Sequence, residues 1–236
     1  NVITNYISWS NAAIVNSFSK TDATAGFRIG YIYGNKEIIK AVSEIQADSI
    51  MNPPTFPVFV IALTCMFRCI YLNKTNNRKR YKEVLIRNLF RNIFFYTGAI
   101  IPDSMRVFAK KIFEDYVKYY DEYITEMIEN EKAVISNYLL TLDILQPFIL
   151  DYTEMQGGFN FCVWFNKPFK LSEIELVQQL INNTGVAILT ESSFSTCNKE
   201  TYEYFIRFSM ACNTNEYRKA LYRMKNYFQK EGVFVD

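Results

Sequence analysis

Histidine is absent from all 236 residues. That absence removes every serine–histidine or cysteine–histidine nucleophile, and the usual zinc ligand sets, from the chemistry the chain can perform by itself. Cysteine is sparse and unpatterned. Cys65, Cys69, Cys162, Cys197 and Cys212 are odd in number, form no Cys-x-x-Cys pair and mostly occupy apolar runs, as reduced core thiols of a cytoplasmic protein would. Neither sign of charge dominates: 26 basic against 24 acidic residues leave a formal +2, which gives no reason to expect nucleic acid or an anionic membrane as partner. The basic cluster Lys74, Arg78, Lys79, Arg80, Lys82 has asparagine-rich neighbours and no nucleic-acid motif, and reads as the solvated start of a helix. Long apolar runs are missing too. The longest, residues 57–72, is interrupted by Arg68 and is short for a bilayer span, so it reads as a buried helix, and no leader peptide is expected.

What is present is a large apolar and aromatic content. Half the residues are hydrophobic, with 20 Phe and 17 Tyr, enough to build the core of one large domain or of two smaller ones. The pattern along the chain predicts strands at 12–18 and 27–33, then a helix from an Asn35 cap to about residue 50, with Ile38, Ile39, Val42 and Ile45 on one face. Pro53, Pro54 and Pro57 are expected to break the chain. Helices are predicted over 56–72, 78–96, 104–130 and 131–149. The remainder alternates: strand 159–165, helix 172–183 ended by Gly185, strands 186–190 and 204–211, and a last helix 213–230. That helix opens on an Asn213/Glu216 capping box and is ended by Gly232. No internal repeat or low-complexity segment interrupts this order.

The most informative stretch is Ser17-Phe18-Ser19-Lys20 followed by Gly26-Phe27-Arg28-Ile29-Gly30, which places a lysine and an arginine between two strand-like runs. A lysine that forms an imine with an aldehyde must be a neutral amine part of the time. Two hydroxyls and a guanidinium are the groups that hold a phosphate dianion. Gly26 and Gly30 would permit backbone approaches that a side chain obstructs. Read by itself, Ser-x-Ser-Lys is also a polar turn between strands, with Arg28 a solvated strand residue. Near the other end, Arg207 stands at the centre of the apolar run Tyr204-Phe205-Ile206-Arg207-Phe208-Ser209, where a guanidinium needs a partner.

These residues resemble the class I/II aminotransferases of fold type I, whose motif reads roughly Ser-x-Ser-Lys, a short gap, then Gly-x-Arg-x-Gly. Three further matches follow in the family's order. They are Met51-Asn52-Pro53-Pro54-Thr55, the turn Gln156-Gly157-Gly158-Phe159-Asn160-Phe161, and Gly185-Val186-Ala187-Ile188-Leu189 with Ser193-Phe194, all ahead of the Arg207 strand. The resemblance implies that Lys20 carries pyridoxal 5'-phosphate as a Schiff base. It further implies that Ser17, Ser19 and Arg28 bind the cofactor phosphate with Lys20, and that Arg207 grips the substrate α-carboxylate.

The fold it implies is α/β. Residues 1–51 would be the C-terminal remnant of a cofactor-binding large domain. Residues 52–150 would be interdomain and small-domain helices with a helical insertion, for which 108–132 is the candidate. Residues 151–236 would form an α+β small domain. The implied function is amino-group transfer from an amino acid to a 2-oxo acid by a cytoplasmic homodimer, with neither nucleic acid nor membrane as partner. Lyase or decarboxylase chemistry on the same motif, or a non-catalytic degenerate binding protein, are the alternatives. The family's N-terminal half supplies the aspartate at the pyridine nitrogen, the stacking aromatic, the asparagine and tyrosine at the ring oxygen, and a further phosphate turn. None can be placed in this sequence, since only 19 residues precede Lys20 and Tyr6 is too close to it. The chain is therefore expected to be N-terminally truncated and inactive alone.

Overall fold

The computed structural model describes residues 12–22, 24–49, 55–72, 103–166, 171–194 and 203–231. The predicted helix 78–96, the basic cluster at 74–82, the segment 51–54, Cys197 and Gly232 lie outside the described residues. The chain divides into two compact units, residues 1–125 and 126–236.

In the first unit, β1 (Ala13–Ser17) pairs antiparallel with β2 (Gly30–Gly34), running from Ala13 opposite Gly34 to Ser17 opposite Gly30. Between them lie the single turn α1 (Phe18–Thr21) and a 3-10 turn, Ala25–Phe27. Both strands begin or end inside the sequence-expected spans, with Phe27 and Arg28 left outside β2. Gly34 is demanded by the pairing, because a Cβ there would lie 2.5 Å from the Ala12 carbonyl oxygen. Helix α2 (Lys36–Ser49) starts where Asn35 Oδ1 accepts the Glu37 N–H at 2.7 Å, as the cap predicted.

Helix α3 (Thr55–Leu72) buries Ile61, Leu63, Met66, Phe67 and Ile70. Pro57, expected to break the chain, instead falls in the first turn of α3, where its missing N–H costs no intrahelical bond. Phe67 meets Tyr120 edge-on, with ring centroids 5.5 Å apart. Tyr120 belongs to α4 (Asp103–Leu145), one continuous helix where two were expected. Its 43 residues contain no glycine or proline, and the polar Glu129-Asn130-Glu131 is a solvated face rather than a break. Pro147 ends it, with a 3-10 turn at Gln146–Phe148 taking up residues expected to be helical.

The second unit is a four-stranded antiparallel sheet in the order β3-β4-β6-β5. The strands are β3 (Ile149–Tyr152), β4 (Asn160–Asn166), β5 (Leu189–Thr190) and β6 (Glu203–Ser209). Strand β3 occupies residues expected to end a helix or enter a loop, and β5 is shorter than the run 186–190 suggested. Alternation sets one face: Phe161, Val163 and Phe165 of β4, with Ile206 and Phe208 of β6 and Met210 just beyond it, are buried. Against them pack Ile144, Leu145 and Phe148, the helix α5 (Glu173–Thr184) through Leu176 and Leu180, and the helix α6 (Thr214–Lys230) through Leu221, Met224 and Phe228.

Helix α5 has the full capping box, Ser172 with Glu175, and leaves through Gly185 at φ 67°. Helix α6 has half of its expected box. Asn213 Oδ1 accepts the Asn215 and Glu216 N–H groups, but the Glu216 carboxylate turns to Lys219 at 2.7 Å. A buried polar network joins α4 to the end of β6. Asn137 Nδ2 donates to the carbonyls of Met210 (2.8 Å) and Cys212 (3.0 Å), and Thr141 contacts the Tyr217 hydroxyl at 2.8 Å.

Candidate functional site

The excursion between β1 and β2 is closed at its neck by the Ser17–Gly30 pairing and by the Phe18 N–H on the Ile29 carbonyl at 3.2 Å. Inside it, Ser17 Oγ accepts the Ser19 N–H at 3.1 Å and donates to Ser19 Oγ at 2.9 Å, so the two hydroxyls adjoin. The turn holding Lys20 is fastened to one carbonyl: Phe18 O accepts from the Asp22 N–H at 3.1 Å and from Thr24 Oγ1 at 2.9 Å. Lys20 is exposed, and none of the ion pairs formed among the described residues involves it.

Arg28 lies before β2 rather than within it. Its backbone is left-handed, φ 53°, and it is the one non-glycine residue at positive φ among those described. Such a conformation costs a side-chain-bearing residue about 1–2 kcal/mol, which the closed neck of the excursion sustains. Its exposed guanidinium reaches only the Ala25 carbonyl, through Nη1 at 3.5 Å, and joins no ion pair among the described residues. Of the two flanking glycines, Gly30 fits the expected close approach, since a Cβ would lie 2.6 Å from the Asn16 carbonyl oxygen. Gly26 does not, because a Cβ there would meet no atom within 4 Å.

Sequence reasoning missed Asp22. Its side chain is 1% exposed and its Oδ1 lies 2.6 Å from Nη2 of Arg68, the residue that interrupts the apolar run of α3. Arg68 also places its guanidinium carbon 5.9 Å from the Tyr123 ring centroid. Burial pushes the Cys65 thiol and the Tyr123 hydroxyl above their ordinary ranges, with the Asp22 charge adding to both. A charged residue on an otherwise apolar helix was the available signal, because it must find a partner.

In the second unit, Arg207 stands opposite Cys162 on one side and Leu189 on the other. The alternation that buries Ile206 and Phe208 turns Arg207 to the opposite sheet face. There its guanidinium carbon lies 4.9 Å from the Phe194 ring centroid, and Phe194 in turn meets Phe205 edge-on at 6.1 Å. Arg207 Nε is buried, and among the described residues it has no hydrogen-bond partner and its side chain joins no ion pair. The Cys162 thiol is raised by burial, against a smaller lowering by Arg207. Glu173 is engaged elsewhere, accepting the Ser192 N–H at 2.9 Å. Burial raises its carboxyl, but hydrogen bonds from Ser192 and Thr190 outweigh that and leave it lowered. The expected Gly157-Gly158 turn does open β4, with Gly158 at φ 78°.

Residues 3–85 match the family model described as aminotransferase class I and II. A histidinol-phosphate aminotransferase of Campylobacter concisus is 30% identical over 113 residues, covering 45% of this chain and 31% of that protein. An aspartate aminotransferase of Sulfolobus acidocaldarius is 43% identical over 49 residues, covering 20% of this chain and 12% of that one. Among solved structures, an aminotransferase from Mycobacterium tuberculosis superposes with a TM-score of 0.57 at 21% identity, covering 94% of this chain and 42% of the other. An aromatic aminotransferase from Pyrococcus horikoshii OT3 gives 0.57 at 17%, covering 93% and 43%. These two likenesses concern the fold. The chain spans less than half the length of these relatives.

Proposed function

We propose that this chain, a member of the class I and II aminotransferase family, carries the lysine-bearing and carboxylate-binding parts of a pyridoxal 5'-phosphate-dependent aminotransferase. The observation that carries the reading is the closed excursion between β1 and β2. It brings two adjoining hydroxyls, Ser17 and Ser19, to the same neck as an arginine held in a left-handed conformation. That donor set suits a phosphate dianion: hydroxyls 2.9 Å apart, and a planar guanidinium with no carboxylate claiming it among the described residues.

Ser17, Ser19 and Arg28 would hold the phosphate, and Lys20 Nζ would hold the cofactor's aldehyde carbon. Bound there, the cofactor supplies the electron sink that makes loss of a Cα proton and transfer of an amino group feasible. Lys20 Nζ, once free of the cofactor, would take the proton from the Cα of an amino acid and deliver it to the cofactor's former aldehyde carbon, after which water would release the 2-oxo acid and the amino group would stay behind. Arg207 would bind the α-carboxylate of either substrate through its guanidinium fork, with Phe194 limiting the fork's rotation from one side. A homodimeric assembly belongs to the same reading.

Borohydride reduction of the chain treated with pyridoxal 5'-phosphate, followed by peptide mass mapping, tests it. The expected result is a pyridoxyl adduct on Lys20 in preference to the exposed Lys40 and Lys219, abolished at that site by Lys20→Ala. Labelling of Lys20 no greater than that of those two lysines, on this chain and on any longer product containing it, would overturn the reading.

A further inference from the structure

We propose that the buried Asp22–Arg68 ion pair is a positioning device for Lys20, fixing the turn that carries it to helix α3. The inference rests on Lys20 being the cofactor lysine. A four-residue helix has no independent stability, so α1 holds its shape only through the contacts that fasten it. Two of these, the Asp22 N–H and Thr24 Oγ1 on the Phe18 carbonyl, lie within the excursion and close the turn without fixing where it stands. The side chain of Asp22, two residues beyond Lys20, leaves the excursion and reaches a different element.

The Asp22 side chain keeps 1% of its exposure while its partner Arg68 keeps 27%, and the contact is 2.6 Å long. A carboxylate so buried is tolerable only where a cation and hydrogen bonds replace its water. Among the described residues its Oδ2 has no hydrogen-bond partner, and the Arg68 contact is the ion pair that neutralises it. Arg68 is itself referenced to a stable frame: α3 has 18 residues and buries Ile61, Leu63, Met66, Phe67 and Ile70, and Tyr123 of α4 flanks the guanidinium. The groups facing the pair, Cys65 and Tyr123, are neutral at physiological pH because burial raises both. Neither competes for Arg68 as a charge. The ion pair thus converts a short turn in an exposed loop into one whose position is set by a packed helix 46 residues away in sequence. Asp22 and Arg68 touch no reacting atom in this account. They act through Lys20.

The test uses the whole 236-residue chain as parent, D22N, R68Q and R68K. Pulses of pyridoxal 5'-phosphate and borohydride across neutral to alkaline pH give the labelling rate of Lys20, with Lys40 and Lys219 as internal references in each sample. Amide hydrogen exchange over residues 18–22 is measured on the same proteins without cofactor. The expected result is that D22N and R68Q label Lys20 about tenfold or more slowly than the parent while the reference lysines keep their rates. R68K, which restores the charge, should recover most of the Lys20 rate, and exchange over 18–22 should accelerate in D22N and R68Q alone. Unchanged Lys20 labelling in D22N and R68Q overturns the positioning role even if their stability falls. A parent that labels Lys20 no faster than Lys40 overturns the cofactor-lysine reading instead. The exchange data then decide the ion pair separately, and no acceleration in D22N and R68Q removes it as a fastening of the turn.

Discussion

Tyr217→Phe offers a stability measurement whose sign and size follow from the contacts around one hydroxyl. Tyr217 is 8% exposed, and its oxygen lies 2.8 Å from Thr141 Oγ1. Thr141 has a single hydroxyl proton, which it gives to the Asn137 carbonyl at 2.9 Å, so in this pair Tyr217 is the donor. Burial raises the phenol to about 12 from its ordinary value near 10, more than the Thr141 contact lowers it. The folded unit therefore keeps a proton that the unfolded chain has lost between those two values, and stability must fall as pH rises through that window. The contribution is fully present below about pH 10. One group with this displacement gives up about 1 kcal/mol by about pH 11, and on the order of 2–3 kcal/mol once pH exceeds 12.

Removal of the hydroxyl should cost about 1 kcal/mol at neutral pH and abolish this share of the alkaline loss. Urea unfolding followed by far-UV circular dichroism, at neutral pH and near pH 11, measures both in parent and variant. Other tyrosines titrate in the same range, so the informative quantity is the difference between the two proteins' alkaline losses. A variant that loses as much stability as the parent on going to alkaline pH would refute the assignment of Tyr217 as a buried donor. The network matters beyond stability, because Asn137 in the same cluster holds the Met210 and Cys212 carbonyls, where the chain leaves the strand bearing Arg207.

Arg207→Gln should weaken binding of a small 2-oxo acid to the chain by about tenfold or more, with Arg207→Lys between it and the parent because an ammonium replaces a planar fork. Ligand-observed NMR reads the affinities, and equal binding by all three would remove Arg207 from carboxylate recognition. Gly34→Ala should destabilise the β1–β2 pair by more than about 1 kcal/mol, since its methyl would meet the Ala12 oxygen at 2.5 Å and the Ala13 Cα at 2.7 Å, both backbone. Gly26→Ala, open on all sides, is the matched control and should be neutral to stabilising by about 0.4–1 kcal/mol in the same unfolding assay. Equal losses at the two glycines would show that the close strand pairing is not what demands Gly34.

The elements that sequence alone placed correctly are those whose apolar period is undisturbed. In β4 and β6 every second residue faces the core, and in α6 Tyr217, Leu221, Met224 and Phe228 recur at helical spacing. The failures have local causes. Glu129-Asn130-Glu131 imitates a boundary by polarity, yet no residue there interrupts a helical hydrogen bond, and α4 continues. Strand β3 is hidden because residues 149–152 follow a helical run and acquire strand geometry only by pairing with β4. At Asn213 the residue types of a capping box are present, but Lys219 outcompetes the backbone for Glu216. The Lys20 excursion was legible through residue types and spacing, whereas the left-handed backbone of Arg28 was not, because arginine carries no local preference for it. The pairing of Asp22 with Arg68 was beyond reach for a different reason: Arg68 on an apolar helix signals the need for a partner, but only the fold shows that Asp22 is that partner.

That pairing also explains why three arginines with apolar sequence neighbours are not equivalent. In sequence, Arg28, Arg68 and Arg207 present the same problem, a guanidinium among hydrophobic residues that needs a negative partner. Arg68 has found its partner within the protein, a carboxylate 2.6 Å away and almost wholly buried, and is thereby withdrawn from ligand chemistry. Arg28 and Arg207 have found none among the described residues, and each is instead constrained by a neutral feature: a left-handed backbone in one case, an aromatic ring 4.9 Å away in the other. A constraint that orients a guanidinium without neutralising it leaves its charge and its donors directed at whatever anion arrives. Protein stability alone would favour an acidic partner for Arg207, whose Nε is buried. On the proposed reading Arg28 and Arg207 are the anion-binding arginines, and Arg68 is a structural one.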